Sequence, residues 1–261
     1  MTSHDEQVNR QFGQAAAAYL TSAAHAQGAD LTRIGSLLQD HSNAQVLDLG
    51  CGAGHVSFAA APHVGQVIAF DLADNMLAVV AQEAVRRGLG NIVTQQGVAE
   101  RLPFADHSFD FVLTRFSAHH WADVKQAVLE MRRVLKNNGR LMIIDIMAPD
   151  QPLLDTHLQA VEVLRDPSHV RDYSFAEWQA LLASAALKLD TSDQWKLPLD
   201  FQAWVTRMQT PADRVEVIRS LLRQAPKEVQ EYLVLQADCS FSLETVMFEA
   251  SPIWAAGQSN E

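Results

Sequence analysis

The residues with the greatest chemical reach begin in a short glycine-rich segment, Val46-Leu47-Asp48-Leu49-Gly50-Cys51-Gly52-Ala53-Gly54. An apolar run ends abruptly in three glycines spaced two apart, and Asp48 stands two residues before the first. Glycines let a backbone approach a ligand that a Cβ would hold away, and a helix starting there offers free N–H donors. A second acid, Asp71, ends the next apolar run about 20 residues further on, the separation at which an acid meets a ribose diol. The implied chemistry is the holding of a nucleoside-bearing ligand. Cys51 sits inside the turn but has no base at motif spacing, so it is no thiol nucleophile.

A second group follows at Arg115-Phe116-Ser117-Ala118-His119-His120-Trp121. His119 or His120 is able to take a proton from a bound molecule or hold it in line. Each is equally able to cap a helix or pack on Trp121. Arg115 suits an anionic acceptor, a cofactor contact or a structural salt bridge. A third group, Glu162, Arg165, His169 and Arg171, concentrates charge beside apolar helical residues. It reads either as a solvated helix end or as a lid whose Arg165, His169 and Arg171 grip a polar substrate. No metal is expected: only two cysteines are present, and Arg115 to Ser117 supply no acid or amide cluster.

These groups need elements to place them. Gln45–Leu49, Val67–Asp71, Ile92–Gln96, Phe109–Phe116 and Arg140–Ile146 read as buried strands with polar ends. Helical patterns separate them at Gly54–Pro62, Asp74–Arg87 and Asp123–Lys136. The last sets Val124, Ala127, Val128, Met131, Val134 and Leu135 on one face, and Asn137-Asn138-Gly139 predicts its C-cap. Strand and helix alternating at this spacing imply a parallel sheet with right-handed crossovers. Residues 1–43 read as helical, as do Leu153–Leu164, Ser174–Ala186 and Pro211–Leu233, with Ser174 and Glu177 fitting a capping box. Lys188–Leu197 and Phe241–Ala250 are strand-like and predict completion of the sheet. One domain, 1–261, is expected, with a core at about 40–147 and a helical cover from 1–43 and 149–235.

At 261 residues, 48% hydrophobic and 20% charged, the composition is that of a globular chain with a full core. A net charge of −11 with no Lys/Arg run disfavours nucleic acid and anionic lipid as partners. A small-molecule partner is expected. No apolar run reaches the roughly 20 residues of a membrane span, and the N-terminus carries no secretory pattern. A cytoplasmic location is the expectation.

A dinucleotide dehydrogenase needs Gly-x-Gly-x-x-Gly, whereas the position after Gly54 is His55. The arrangement Asp48 through Gly54 instead resembles the first motif of the class I S-adenosylmethionine (AdoMet)-dependent methyltransferases. Asp71-Leu72-Ala73-Asp74-Asn75-Met76-Leu77 resembles the family's second motif, and Gly97-Val98-Ala99-Glu100-Arg101-Leu102-Pro103-Phe104 its third. Ser108-Phe109-Asp110 resembles the start of the fourth strand, and Arg133 through Leu141 the helix-to-strand-five junction. In wording the chain is most similar to the ubiquinone/menaquinone-biosynthesis branch, over about residues 40–147.

The resemblance implies a Rossmann-like α/β fold: a seven-stranded, mostly parallel sheet with helices on both faces, plus N-terminal and post-strand-five helical additions. It implies AdoMet as cofactor, S-adenosylhomocysteine as product, and a methyl acceptor beside the post-strand-four loop. Gly50, Cys51, Gly52 and Gly54 would hold the methionine part over Asp48, and Asp71 would take both ribose hydroxyls. Leu72 and Met76 would flank the adenine, with Ala99 and Glu100 along its edge. Val98 stands where many relatives carry a polar side chain, which leaves adenine recognition to backbone groups. Phe12 through Tyr19 resembles a segment that closes over the cofactor, with Tyr19 as its cover. The activity implied is methyl transfer to carbon or oxygen of a small organic molecule. The rivals are an AdoMet-binding protein of the same fold without methyl transfer (a cyclase, decarboxylase or regulatory binder) and a nicotinamide-dependent oxidoreductase.

Overall fold

The structure, a computed structural model, describes residues 3–21 and 28–253, with 13–21 described as backbone alone. Parallel strands β1 (Gln45–Leu49), β2 (Gln66–Asp71), β3 (Ile92–Gln96), β4 (Phe109–Arg115) and β5 (Leu135–Ala148) form the heart of one sheet. A two-residue β6 (Tyr173–Ser174) pairs with the end of β5. Antiparallel β7 (Leu187–Leu199) and β8 (Phe241–Pro252) complete the sheet, in the order β3-β2-β1-β4-β5-β8-β7. The mostly parallel α/β architecture is therefore present. Val46, Leu47, Val112, Leu113, Ile143 and Ile144 are all buried, because helices cover both faces of the central strands.

One face carries α5 (Val124–Val134) and α7 (Phe175–Ser184), whose Met131 and Trp178 join Leu47, Val112 and Ile143 in one cluster. The other carries α2 (Ala29–Leu37) and α3 (His55–Ala60), through Ile34, Val56 and Ala60. Helix α4 (Asp74–Arg87) packs along β2 and β3, and α1 (His4–Thr21) lies on α4. A second apolar cluster sits past the end of β5. There α6 (Pro152–Arg165), α8 (Phe201–Arg207), α9 (Ala212–Arg223) and α10 (Lys227–Tyr232) gather around Phe201, Trp204 and Leu158. Ser174 and Glu177 form the expected capping box of α7.

Two expectations need correction, and one helix goes beyond them. Asn137-Asn138-Gly139 does not cap α5; the helix stops at Val134 and the chain turns straight into β5. Leu135 pairs with Phe109 in the sheet, and Lys136 reaches the Asp110 carboxylate at 2.8 Å, so strand pairing overrides helix continuation. The stretch Pro211–Leu233 is two helices, α9 and α10, divided before Pro226, which has no N–H to continue a helix. Helix α8 was not foreseen; its signal was Asp200, whose side chain caps the Ala203 amide at 2.7 Å.

Candidate active site

The sheet order reverses between β1 and β4, and ligands in such sheets collect beyond the strand ends at that point. A cavity lies there, enclosing about 990 Å³ with its mouth included. Asp48, Gly50, Cys51, Gly52, Asp71, Leu72, Met76, Val98, Ala99, Glu100 and Arg115 all line it. Ser117, His120 and Trp121 close it from the loop after β4, and His4, Asp5, Val8 and Phe12 of α1 from above. The α1 contribution was expected at Tyr19; the Tyr19 side chain lies outside the described residues.

The glycine turn is built by hydrogen bonds that leave a specific surface. Gly50 and Cys51 amides donate to the Phe70 carbonyl at 2.8 and 3.0 Å, so β2 holds the turn in place. The Gly52 amide donates to Asp71 Oδ2 and the Ala73 amide to Asp71 Oδ1, each at 2.8 Å. Asp71 therefore braces the turn and the start of α4 while lining the cavity. Each of its oxygens retains a lone pair for a diol. Gly50 has φ +67°, and a Cβ there would lie 1.9 Å from Ser117 Oγ. Gly54, expected at the ligand, is absent from the lining. A Cβ on it would stand 2.8 Å from Val80 Cγ2, so it serves the packing of α3 against α4.

Asp48 is buried beneath the turn. Its Oδ2 accepts from the Ser57 amide (2.9 Å) and hydroxyl (2.6 Å), whereas Oδ1 has no hydrogen-bond partner. Burial pushes its carboxyl up to about 7, with a smaller contribution from the Asp71 charge. An orphaned buried oxygen on a residue that lines the cavity fits a ligand that brings an ammonium group. The AdoMet methionine moiety carries one, so the residues present fit the cofactor. Burial, then the Asp71 and Asp48 charges, raises the Cys51 thiol well above its ordinary value and keeps it inert. Arg115 makes a buried ion pair with Asp30 of α2 and stacks on the Phe116 ring at 4.7 Å, while still bordering the cavity.

Beyond this cavity, a second one is lined by Phe116, His119, His120, Glu162, Arg165, Asp172, Trp204 and Arg207. Phe116 and His120 border both. Phe116 has φ +51°, an uncommon value for a bulky residue, and its amide is tied to the Ile144 carbonyl at 2.8 Å. The two histidines are adjacent but differ in state. His119 Nδ1 meets Asp145 Oδ1 at 2.5 Å. Burial opposes its charge, but Asp145, with Asp172 and Glu162 behind it, lifts the imidazole to about 9. Burial, then the neighbouring His119 charge, lowers His120 to about 4. Its Nδ1–H donates to the Ser168 carbonyl at 3.1 Å, which leaves Nε2 as the ring's acceptor.

The three residues assigned to substrate do not converge. Arg165 lines the second cavity but is held by Glu162 (3.3 Å), the Trp204 carbonyl (3.1 Å) and the Trp204 ring. His169 is buried behind it, bonded to Gln159 Oε1 at 2.9 Å. Arg171 ties Asp155 of α6 to Glu177 of α7 near the surface. Sequence reasoning missed Asp145 and Asp172. Asp145 left a signal, being a lone acid inside the apolar run Leu141–Ile146, where a buried carboxylate demands a partner.

Residues 47–143 match the family described as a methyltransferase domain. The Escherichia coli protein YafE is 48% identical over 201 residues, 77% of this chain and 97% of that one. The Bacillus subtilis methyltransferase YcgJ is 37% identical over 243 residues, 91% of this chain and 96% of its own. Its crystal structure superposes with a TM-score of 0.84 at 36% identity, over 87% of this chain and 99% of that one. The demethylmenaquinone methyltransferase of Lactiplantibacillus plantarum is 38% identical over 117 residues, 43% of this chain and 49% of that protein. A glycine turn over a buried acid, a braced Asp71 and two relatives matched along almost their full length agree: the chain belongs to the class I AdoMet-dependent methyltransferases.

Proposed function

We propose that this methyltransferase acts on carbon or oxygen of a small organic acceptor seated in the second cavity. The observation that carries the reading is the shared wall: Phe116 and His120 border both cavities, so an acceptor in one lies beside a cofactor in the other. AdoMet, when bound, supplies a methyl group already activated on a sulfonium. The chain's own task is then to orient the acceptor and exclude water, and orientation of that kind is worth several kcal/mol. Helix α1 serves exclusion. His4 bonds the His120 carbonyl (2.8 Å), Gln7 the Pro167 carbonyl (2.7 Å) and Gln11 the Met208 carbonyl (2.8 Å), while the Phe12 ring meets His120 edge-on. His120, which borders both cavities, would accept the acceptor's proton or hold it in line through Nε2. A ring of the kind named for the Lactiplantibacillus relative, a demethylmenaquinone, falls within this acceptor class.

The test is transfer of labelled methyl from AdoMet to a small molecule in a fractionated cell extract. Labelled product should appear together with S-adenosylhomocysteine. His120→Ala should slow transfer about 100-fold, in the range of proton-transfer catalysts, with a much smaller change in S-adenosylhomocysteine affinity. Label recovered only in macromolecules, or transfer unchanged in the variant, would refute the acceptor and His120 assignments respectively.

A further inference from the structure

Asp172 is the unexplained group in the second cavity. It is 1% exposed, and its Oδ2 makes no hydrogen bond. The nearest ring nitrogens, His119 Nδ1 at 4.0 Å from Oδ1 and His169 Nε2 at 3.9 Å from Oδ2, stand beyond hydrogen-bond reach. His169 Nε2 is already committed to Gln159. Buried carboxylates are ordinarily paired, hydrogen-bonded or bound to a metal, because desolvating the charge is otherwise too costly. Here the carboxyl group borders a cavity with its Oδ2 unpartnered.

Two further donors lie beside it. Candidate ligand atoms of His119, Asp145 and Asp172 all fall within 4.8 Å of one another. The register explains why. The small strand β6 pairs Tyr173 with Met147, which brings Asp172 alongside the strand that carries Asp145. Backbone amides hold each donor's segment: Val170 N donates to the His119 carbonyl (2.8 Å), Ile146 N to the Asp145 side chain Oδ1 (2.9 Å) and Asp172 N to the Gln159 side chain Oε1 (3.1 Å). We infer that His119, Asp145 and Asp172 bind one divalent transition-metal ion, of the Mn²⁺ or Zn²⁺ class, at the wall of the second cavity, which His119 and Asp172 line.

The donor set selects that class. Carboxylates accept Mg²⁺, Ca²⁺ and Mn²⁺, whereas imidazole favours Zn²⁺ and its transition-metal neighbours, so a mixed site discriminates against the purely oxygen-seeking ions. Three protein ligands with open positions is the pattern of a reactive site rather than a closed structural one. Coordination requires the 2.5 Å His119–Asp145 contact to open and the 4.0 Å His119–Asp172 gap to close, each by about 1 Å or less. The ion takes the place of the His119 Nδ1 to Asp145 Oδ1 hydrogen bond. On the proposed acceptor reading, an acceptor oxygen would take an open position and lose its own proton more readily.

The experiment titrates the full-length chain, saturated with S-adenosylhomocysteine, with Mn²⁺ by electron paramagnetic resonance. One ion per chain should bind, Zn²⁺ should displace it, and Ca²⁺ should not. Asp172→Asn and Asp145→Asn should each weaken Mn²⁺ binding by about 10- to 100-fold or more, whereas Asp155→Asn, in the outer ion pair with Arg171, should leave it intact. If a cavity variant fails to fold, broadening of wild-type histidine ring resonances by substoichiometric Mn²⁺ reads the same contact. No saturable Mn²⁺ binding, or binding without ring broadening and indifferent to both variants, overturns the inference. A donor-bearing organic acceptor would then be what completes Asp172. Retained S-adenosylhomocysteine binding in the same samples separates that failure from failure of the methyl-transfer reading.

Discussion

Asp71→Ala is expected to weaken S-adenosylhomocysteine binding by roughly 30- to 1,000-fold while the chain remains folded. Two effects add. The carboxylate lines the cavity and, on the proposed reading, would take the ribose hydroxyls, where charge-assisted hydrogen bonds are worth roughly 1.5–3 kcal/mol each. It also accepts the Gly52 and Ala73 amides, so its loss slackens the turn that contacts the rest of the ligand. A loss of about 2–4 kcal/mol gives the stated range. Asp71→Asn keeps one acceptor oxygen and should fall between the variant and the wild type. Calorimetry against melting temperature separates binding from stability. Unchanged affinity in Asp71→Ala would remove the residue from the ligand contacts.

Gly50→Ala should abolish measurable S-adenosylhomocysteine binding and also lower stability. At φ +67° a non-glycine residue costs roughly 1–2 kcal/mol. The new Cβ would stand 1.9 Å from Ser117 Oγ and 2.6 Å from Ser117 Cβ, too close for a side-chain rotation to relieve. Ser117 itself bonds Trp121 Nε1 at 3.2 Å, so moving it disturbs the cavity wall. Gly88→Ala is the matched control. It has φ +69° with nothing within 4 Å of the added Cβ, and should lose only the backbone cost. If both variants bind S-adenosylhomocysteine equally well, the close approach at Gly50 has no part in forming the site.

The part of the site that was legible in the sequence is the part whose chemistry is local. The turn from Asp48 to Gly54 and the acid at Asp71 sit at spacings imposed by a strand, a tight turn and a helix, and the structure gathers them at one cavity. Gly54 does not line that cavity and packs instead against Val80 and Phe58, because which atoms face a glycine depends on distant helices. His119 and His120 are alike as sequence, and only tertiary partners divide them. Asp145 arrives from β5 to one, and Ser168 from the segment after α6 to the other. Arg165, His169 and Arg171 looked like one gripping set, but Arg165 ends α6 while His169 and Arg171 lie in the irregular segment after it, and each meets different partners. Asp172 belongs to no motif; a two-residue strand pairing places it, and nothing in its neighbours foretold that pairing.

The central claim, that the cavity at the β1–β4 reversal holds AdoMet, is tested most directly by isothermal titration of the purified chain with AdoMet, S-adenosylhomocysteine and NAD. The cavity architecture predicts saturable binding of the first two at one molecule per chain, and no heat of binding for NAD. Asp71→Ala in the same experiment should lose most of that affinity. Saturable NAD binding with no response to AdoMet or S-adenosylhomocysteine would contradict the account at its root.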